Sequence, residues 1–263
     1  MTKKINYVLG IDLEGMHSNL VEEGIDHARD RITEIGAVLW DCNEGQPVQI
    51  MSELIDEEDR LTISEEIQDL TGISESMLKN FGNKRTEIPA IIEKLKMLIN
   101  KADACMAHNG DNYDHPMLEE FFKRYNSELP EKVWLDTSKH VEYPKKVQGL
   151  SMMALEHSHG FINPFPHRAV TDVLAMLKIA SNYSFDRIYQ LATSSRVQLI
   201  AVLDAPNWRN QKEVQEFNKI KNKVAKSKFR WHADIKKWIK EVPKILLDEG
   251  KIQYDFDYYM KEL

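Results

Sequence analysis

The sequence predicts an α/β protein: a mixed β-sheet flanked by helices, followed by a small basic α+β appendix. Three observations carry this. Three β-prone apolar runs with short links fill the first 54 residues, helical and strand-like segments alternate after them, and the charge balance reverses near residue 186. Strands joined by short links pair antiparallel, and alternating helices and strands place helices over a sheet.

The first strand is Tyr7-Val8-Leu9-Gly10-Ile11-Asp12-Leu13-Glu14-Gly15, apolar until it meets two carboxylates one residue apart. Residues 16–30 are polar and charged (His17, Glu22, Glu23, Asp26, His27, Arg29, Asp30) and read as a solvent-facing loop. Arg31 to Trp40 is the second strand, Asn43-Glu44-Gly45 a turn, and Val48 to Leu54 the third strand. Ser64 to Lys79 reads as two short helices broken at Thr71-Gly72. Glu87 to Ile99 carries Ile88, Ile91, Ile92, Leu95, Leu98 and Ile99 at the spacing of an amphipathic helix. A short buried strand follows at Ala104 to His108, then a helix from Pro116 to Tyr125, a strand at Val133 to Leu135, and helices at Leu150 to His157 and Ala169 to Ala180. Residues 1–185 form the main domain and residues 186–263 the appendix.

With 263 residues, 42% hydrophobic and 29% charged, the chain can bury a sizeable core. No apolar run approaches the roughly 20 residues of a membrane span, so no membrane partner is expected. Lys3 and Lys4 precede an apolar segment that Asp12 interrupts, which argues against a signal peptide. Cys42 and Cys105 stand alone, with no C-x-x-C, which fits a reducing cytoplasm. The net charge of −7 is unevenly spread: residues 186–263 hold 16 Lys+Arg against 11 Asp+Glu, and residues 1–185 hold 19 against 31. An acidic body with a basic tail suits a metal-dependent core carrying a separate surface for a polyanion.

Strand periodicity puts Asp12 and Glu14 on one face, roughly 7 Å apart at Cα. Like charges so placed are costly unless a cation neutralises them, and carboxylates are ligands that hard divalent ions prefer. A lone D-x-E is more often a solvated strand end, so its meaning depends on two later places. At the first, Asp114 sits where the strand and polar loop His108 to Tyr113 enter a helix; by itself it reads as an N-cap. At the second, His167 and Asp172 are five residues apart, about 140° on a regular helix, and cannot share a face if both are helical. Pro164-Phe165-Pro166 holds His167 in the loop before the helix. With Asp172 in the first turns, the two can converge.

These residues resemble a known family. Gly10 to Gly15, Arg31 to Val38, Leu70-Thr71-Gly72-Ile73-Ser74, His108-Asn109 through Tyr113-Asp114, and His167-Arg168-Ala169 with Asp172 are similar, in order, to the motifs of the DEDDh (DnaQ-like) 3′-to-5′ exonucleases. The resemblance covers roughly residues 5 to 180. It implies a ribonuclease H-like sheet, two divalent metal ions (Mg²⁺ or Mn²⁺), and hydrolysis of the terminal phosphodiester of single-stranded DNA, with RNA as the alternative, from a free 3′ end to release nucleoside 5′-monophosphates. By position it makes Asp12, Glu14, Asp114 and Asp172 the metal ligands and His167 the general base. Imidazole changes charge near neutral pH and can take a water's proton there. The resemblance also points to Gly15, Met16, His108, Asn109 and Ile73 as contacts to the terminal nucleotide. For Met16 and Ile73 core packing is an equal reading.

The tail adds its own signal. From Arg209 to Lys244, 12 Lys+Arg face 4 Asp+Glu, interleaved with Phe217, Phe229, Trp231 and Trp238. A helix from Gln211 to Ala225 precedes a hairpin whose Arg230, Trp231, Lys237 and Trp238 combine cations with stacking faces, the means of sequence-tolerant single-strand binding. The same tryptophans could instead be a small core under solvated lysines. Two rival readings stand beside the enzyme: a catalytically silent nucleic-acid-binding module on the same fold, and a subunit of a polymerase or repair complex.

Overall fold

The computed structural model describes residues 3–16 and 24–262; residues 17–23 of the expected loop after the first strand lie outside the described residues. Strands β1 (Tyr7–Met16), β2 (Arg31–Asp41) and β3 (Gln46–Asp56) form an antiparallel meander, with only four residues between β2 and β3. Helices α1 (Glu65–Thr71) and α2 (Glu75–Phe81) begin at Ser64 and Ser74, whose side chains accept backbone N–H groups of Ile67 and Met77. Gly72 ends α1 in the left-handed region at φ 69°. A two-residue strand, β4 (Asn83–Lys84), adds parallel to β3. Helix α3 (Ile88–Lys101), β5 (Ala104–Ala107), α4 (Asp114–Arg124) and β6 (Trp134–Asp136) follow, then α5 (Met152–His159), α6 (Ala169–Ala180) and α7 (Phe185–Thr193). The sheet order is β4-β3-β2-β1-β5-β6, with β5 parallel to β1 and β6 parallel to β5.

β1 is buried on both faces because helices cover both. Leu9, Ile11 and Leu13 share a core with Ile92 and Leu95 of α3 and Phe121 and Phe122 of α4. On the opposite face Val8, with Val38 and Trp40 of β2, packs with Val173 and Leu177 of α6 and Phe185 and Ile188 of α7. Alternation along β1 assigns Gly10, Asp12 and Glu14 to this second face. A Cβ on Gly36, the β2 partner of Asp12, would lie 2.4 Å from backbone atoms of Ala169 and Val170. Glycine there lets the start of α6 rest directly on the sheet beside the acids.

The chain divides into two compact units, Met1–Ala192 and Thr193–Leu263. The boundary falls after Ala192 rather than after residue 185 because Phe185 and Ile188 are buried in the first unit's core. The second unit holds β7 (Arg196–Ala201), α8 (Gln211–Lys226), β8 (Arg230–His232), β9 (Lys237–Pro243), α9 (Lys244–Asp248) and β10 (Tyr258–Glu262). Its antiparallel sheet runs β10-β7-β9-β8 over a core that includes Val197, Leu199, Val224, Phe229 and Phe256. The helix and hairpin are where the sequence places them, and β7 and β10 extend the hairpin into a sheet. Among the described residues no helix is long and apolar enough to cross a membrane.

An ion network ties the α1–α2 segment to the sheet. Asp56, at the end of β3, accepts from Arg60 Nε at 2.9 Å and Lys84 Nζ at 2.5 Å, while Arg60 also donates to both Glu75 carboxylate oxygens, each at 2.9 Å. Arg60's hydrogen bonds hold the Glu75 carboxyl below its ordinary range. Burial alone would raise Asp56, but hydrogen bonds from Lys84 and Arg60 outweigh it and hold that carboxyl low as well.

Two predictions follow from this packing. Gly36→Ala should destabilise the protein by about 1–3 kcal/mol in urea unfolding, since backbone rather than a flexible side chain must yield; a change below about 0.5 kcal/mol would show that α6 is not in close contact with β2. Arg60→Ala should cost about 2–3 kcal/mol at pH 7. Depressed folded-state carboxyls stabilise above the unfolded value near 4 and lose that contribution as pH falls through the folded values, so the difference from wild type should shrink below about pH 4. Thermal unfolding of both proteins across pH 7 to 3.5 reads this directly.

Candidate active site

Asp12 and Glu14 sit at the end of β1, paired across the sheet with Gly36 and Glu34. The register shifts between Glu14 and Gly15, so the regular ladder is interrupted immediately beyond the second acid. Asp114 is the first residue of α4 and is 2% exposed. Its Oδ1 accepts the backbone N–H of Leu13 at 3.1 Å, from the residue between the two strand acids. The N-cap reading of Asp114 gives way here: the carboxylate turns back onto β1.

Asp172 lies in the first turn of α6, and His167 lies outside the helix, as the two prolines require. The backbone N–H of His167 donates to Asp172 Oδ2 at 3.0 Å, and Asn163 Nδ2 donates to Asp172 Oδ1 at 2.5 Å. His167 has φ 60°, a left-handed conformation uncommon for non-glycine residues but adopted by histidine, asparagine and aspartate more often than by others. One side-chain ligand atom each from Glu14, His167 and Asp172 lies within 4.8 Å of the others.

The electrostatics follow from packing anions against anions. Burial, followed by the charges of Asp114, Glu14, Asp172 and Glu34, holds the Asp12 carboxyl well above its ordinary range. Burial and then Asp172 push Glu14 up to about 8, and burial raises Asp114 to about 8 despite the hydrogen bond from Leu13. Asp172 is raised to about 6, again chiefly by burial, with the His167 N–H opposing it. Such crowding is relieved by positive charge. Two carboxylates converge with an imidazole, and Asp12 feels the charges of Asp114, Glu14 and Asp172, so the site offers oxygen donors that hard divalent ions accept and its residues fit such an ion.

Four contributors escape sequence reasoning. Buried Glu34 on β2 accepts Arg168 Nε at 2.9 Å, Arg168 Nη2 at 2.8 Å and the Ala169 N–H at 3.0 Å. It thereby satisfies an orphan donor at the start of α6, which has no side-chain cap of its own. Asn163 orients Asp172. Tyr113 takes the space over Gly15: a Cβ there would lie 2.3 Å from its hydroxyl oxygen. Burial pushes that hydroxyl's proton affinity up. The quoted motifs around Arg31 to Val38 and His167 to Ala169 contain Glu34 and Arg168, but nothing local pairs them.

The expected nucleotide contacts are placed less uniformly. Met16 and Ile73 are buried together with Ile63 and Leu78, so in this conformation their side chains serve the core reading. His108 Nδ1 lies 2.8 Å from Thr137 Oγ1. Asn109, at φ 61°, donates its N–H to Asp136 Oδ1 at 2.9 Å and accepts Asn112 Nδ2 at 2.7 Å. Arg230, Trp231, Lys237 and Trp238 all belong to the second unit.

Comparison with known proteins gives a consistent result. The model of an exonuclease family, RNase_T, matches residues 9–180. The nuclease domain of 3′hExo, a DEDDh family member solved with bound rAMP, is 16% identical, with 69% of this chain and 93% of that chain covered at a TM-score of 0.55. E. coli exonuclease I, in a zinc-bound form complexed with single-stranded DNA, is 14% identical, with 75% of this chain and 48% of that chain covered at a TM-score of 0.56. At these identities the structural likeness is one of fold. No curated protein sequence matches significantly.

The supports around Asp172 make a measurable demand. Asn163→Ala and Arg168→Ala are each expected to weaken Mn²⁺ binding about tenfold in titration calorimetry, the usual scale for removing a group that orients a ligand. Wild-type affinity in both variants would show that neither group sets the position of the acids.

Proposed function

Since this chain belongs to the DEDDh 3′-to-5′ exonuclease superfamily, its match to the exonuclease family spanning residues 9–180, we propose that it removes nucleotides from the free 3′ end of single-stranded nucleic acid in a reaction that depends on divalent metal. Asp12, Glu14, Asp114 and Asp172 are the residues that would hold two such ions, Mg²⁺ or Mn²⁺. When bound, they supply an acidified attacking water and neutralise charge on the leaving oxygen.

The chain's own groups account for the rest. His167 is exposed beside Glu14 and Asp172, where it can take the proton of the attacking water. Its backbone N–H is held by Asp172, so base and ligand are positioned by one carboxylate. Glu34 fixes the segment between them by gripping Arg168 and Ala169. The water oxygen bonds to phosphorus as the bond to the 3′ oxygen breaks, releasing a nucleoside 5′-monophosphate. Single-stranded DNA is the preferred substrate reading, with RNA as the alternative; the relatives' structures include one with rAMP and one with single-stranded DNA.

The observation that carries this proposal is the approach of Glu14, His167 and Asp172 to within 4.8 Å of one another, with half-buried Asp12 and buried Asp114 close by. His167→Ala should lower turnover of a 5′-labelled oligonucleotide about 10²–10⁴-fold, the range for loss of a general base. Asp12→Ala should lower it at least as far with the circular dichroism spectrum unchanged, and excess EDTA should stop the wild type. Undiminished release of mononucleotides by either variant, or in EDTA, would overturn the reading.

A further inference from the structure

The second unit carries a feature that hydrolysis does not use. Across the β8–β9 hairpin Trp231 stands directly opposite Trp238, their ring centroids 5.8 Å apart. Trp238 packs onto the unit's core, while Trp231 is 50% exposed. Beside the pair lies a groove of about 360 Å³ whose walls include Phe217, Lys236, Lys237 and Tyr259. Lys237 Nζ donates to the Tyr259 hydroxyl at 2.7 Å and lies 5.4 Å from that ring's centroid, so a cation is held over an aromatic face at the rim.

The chemistry of the walls selects an occupant. Trp231 and Tyr259 leave aromatic faces open to water at this groove, where a planar ring can stack. Among the described residues the groove's lining contains two lysines and no carboxylate. The sequence of this unit, residues 193–263, holds 15 Lys+Arg against 10 Asp+Glu, in a chain whose net charge is −7. The adjoining hollow is lined instead by Asp204, Glu213, Glu216 and Asp257, which repel phosphate and confine a polyanion to the tryptophan side. Stacking faces combined with cations and no base-specific donor array suit single-stranded nucleic acid without sequence preference.

We propose that this groove is a second binding site for single-stranded nucleic acid, with a base stacked on Trp231 and phosphates held by Lys236 and Lys237. It deepens the exonuclease reading and rests on it for its role, as a second hold on the same class of substrate, but its binding chemistry does not depend on that reading.

The test uses the full chain in EDTA and fluorescence anisotropy with labelled 20-nucleotide oligo-dT and oligo-rU. Trp231→Ala is expected to weaken binding roughly tenfold, the scale of removing one stacked base. Wild-type tryptophan emission should be quenched on binding. The double variant Lys236→Gln with Lys237→Gln should reduce the slope of log K against log salt by about 1.4, or 0.7 for each phosphate that is no longer neutralised. The dT and rU arms show whether the site prefers DNA or RNA. If both variants stay folded by circular dichroism and bind both oligonucleotides within twofold of wild type, the groove is not a nucleic-acid site. Hydrolysis by the wild type in Mn²⁺ is measured in parallel: binding that depends on Trp231 without any hydrolysis would remove the exonuclease reading and leave the groove, whereas hydrolysis with indifferent variants would do the reverse.

Discussion

The seating of one helix end on the sheet governs the catalytic unit. α6 begins where Gly36 leaves no side chain between it and β2, and Glu34, one turn of the pleat away on the same face, accepts both Arg168 and the first helical N–H. Those two contacts fix the start of α6 in register with the end of β1. Asp172 and the His167 loop are then delivered to Glu14, and α4 delivers Asp114 to β1 through the Leu13 N–H.

This arrangement works against stability locally. Several carboxylates are crowded together, Asp114 buried and Asp12 and Glu14 half-buried, and desolvation with mutual repulsion raises their proton affinities. The apolar layers on both sides of β1 offset that, holding a constellation that would otherwise relax apart. Asn163, the His167 backbone and the Leu13 backbone each give one carboxylate a fixed donor, so the acids are oriented as well as crowded. Preorganised oxygen donors of this kind are what a divalent ion meets without rearranging them.

The two units differ in how visible they are in the sequence. In the first, α6 occupies the span that its periodicity indicates, and the break at Gly72 separates α1 from α2 as the turn residue requires. In the second, β10 is mostly exposed and its Tyr-Tyr-Met-Lys-Glu run shows no alternation of apolar and polar residues, so only pairing with β7 defines it as a strand. β4 is two residues long and exists by virtue of its neighbour β3. Trp231 and Trp238 look alike in the sequence, yet one anchors a core and the other faces solvent, because the hairpin's position on the sheet decides which ring is covered.

The sequence by itself determined the main strands and helices of the first unit and the residue types of the site, since strand alternation, helical periodicity and proline's block on helix are set by neighbours along the chain. It could place Asp12 with Glu14 and keep His167 out of the helix for that reason. Tertiary structure alone decided that Glu34 grips Arg168 from 134 residues away, that Tyr113 fills the space over Gly15, and that Met16 and Ile73 turn into a core. Those outcomes depend on which surfaces are pressed together once the layers close, and no local pattern encodes a contact whose two halves meet only in the folded chain.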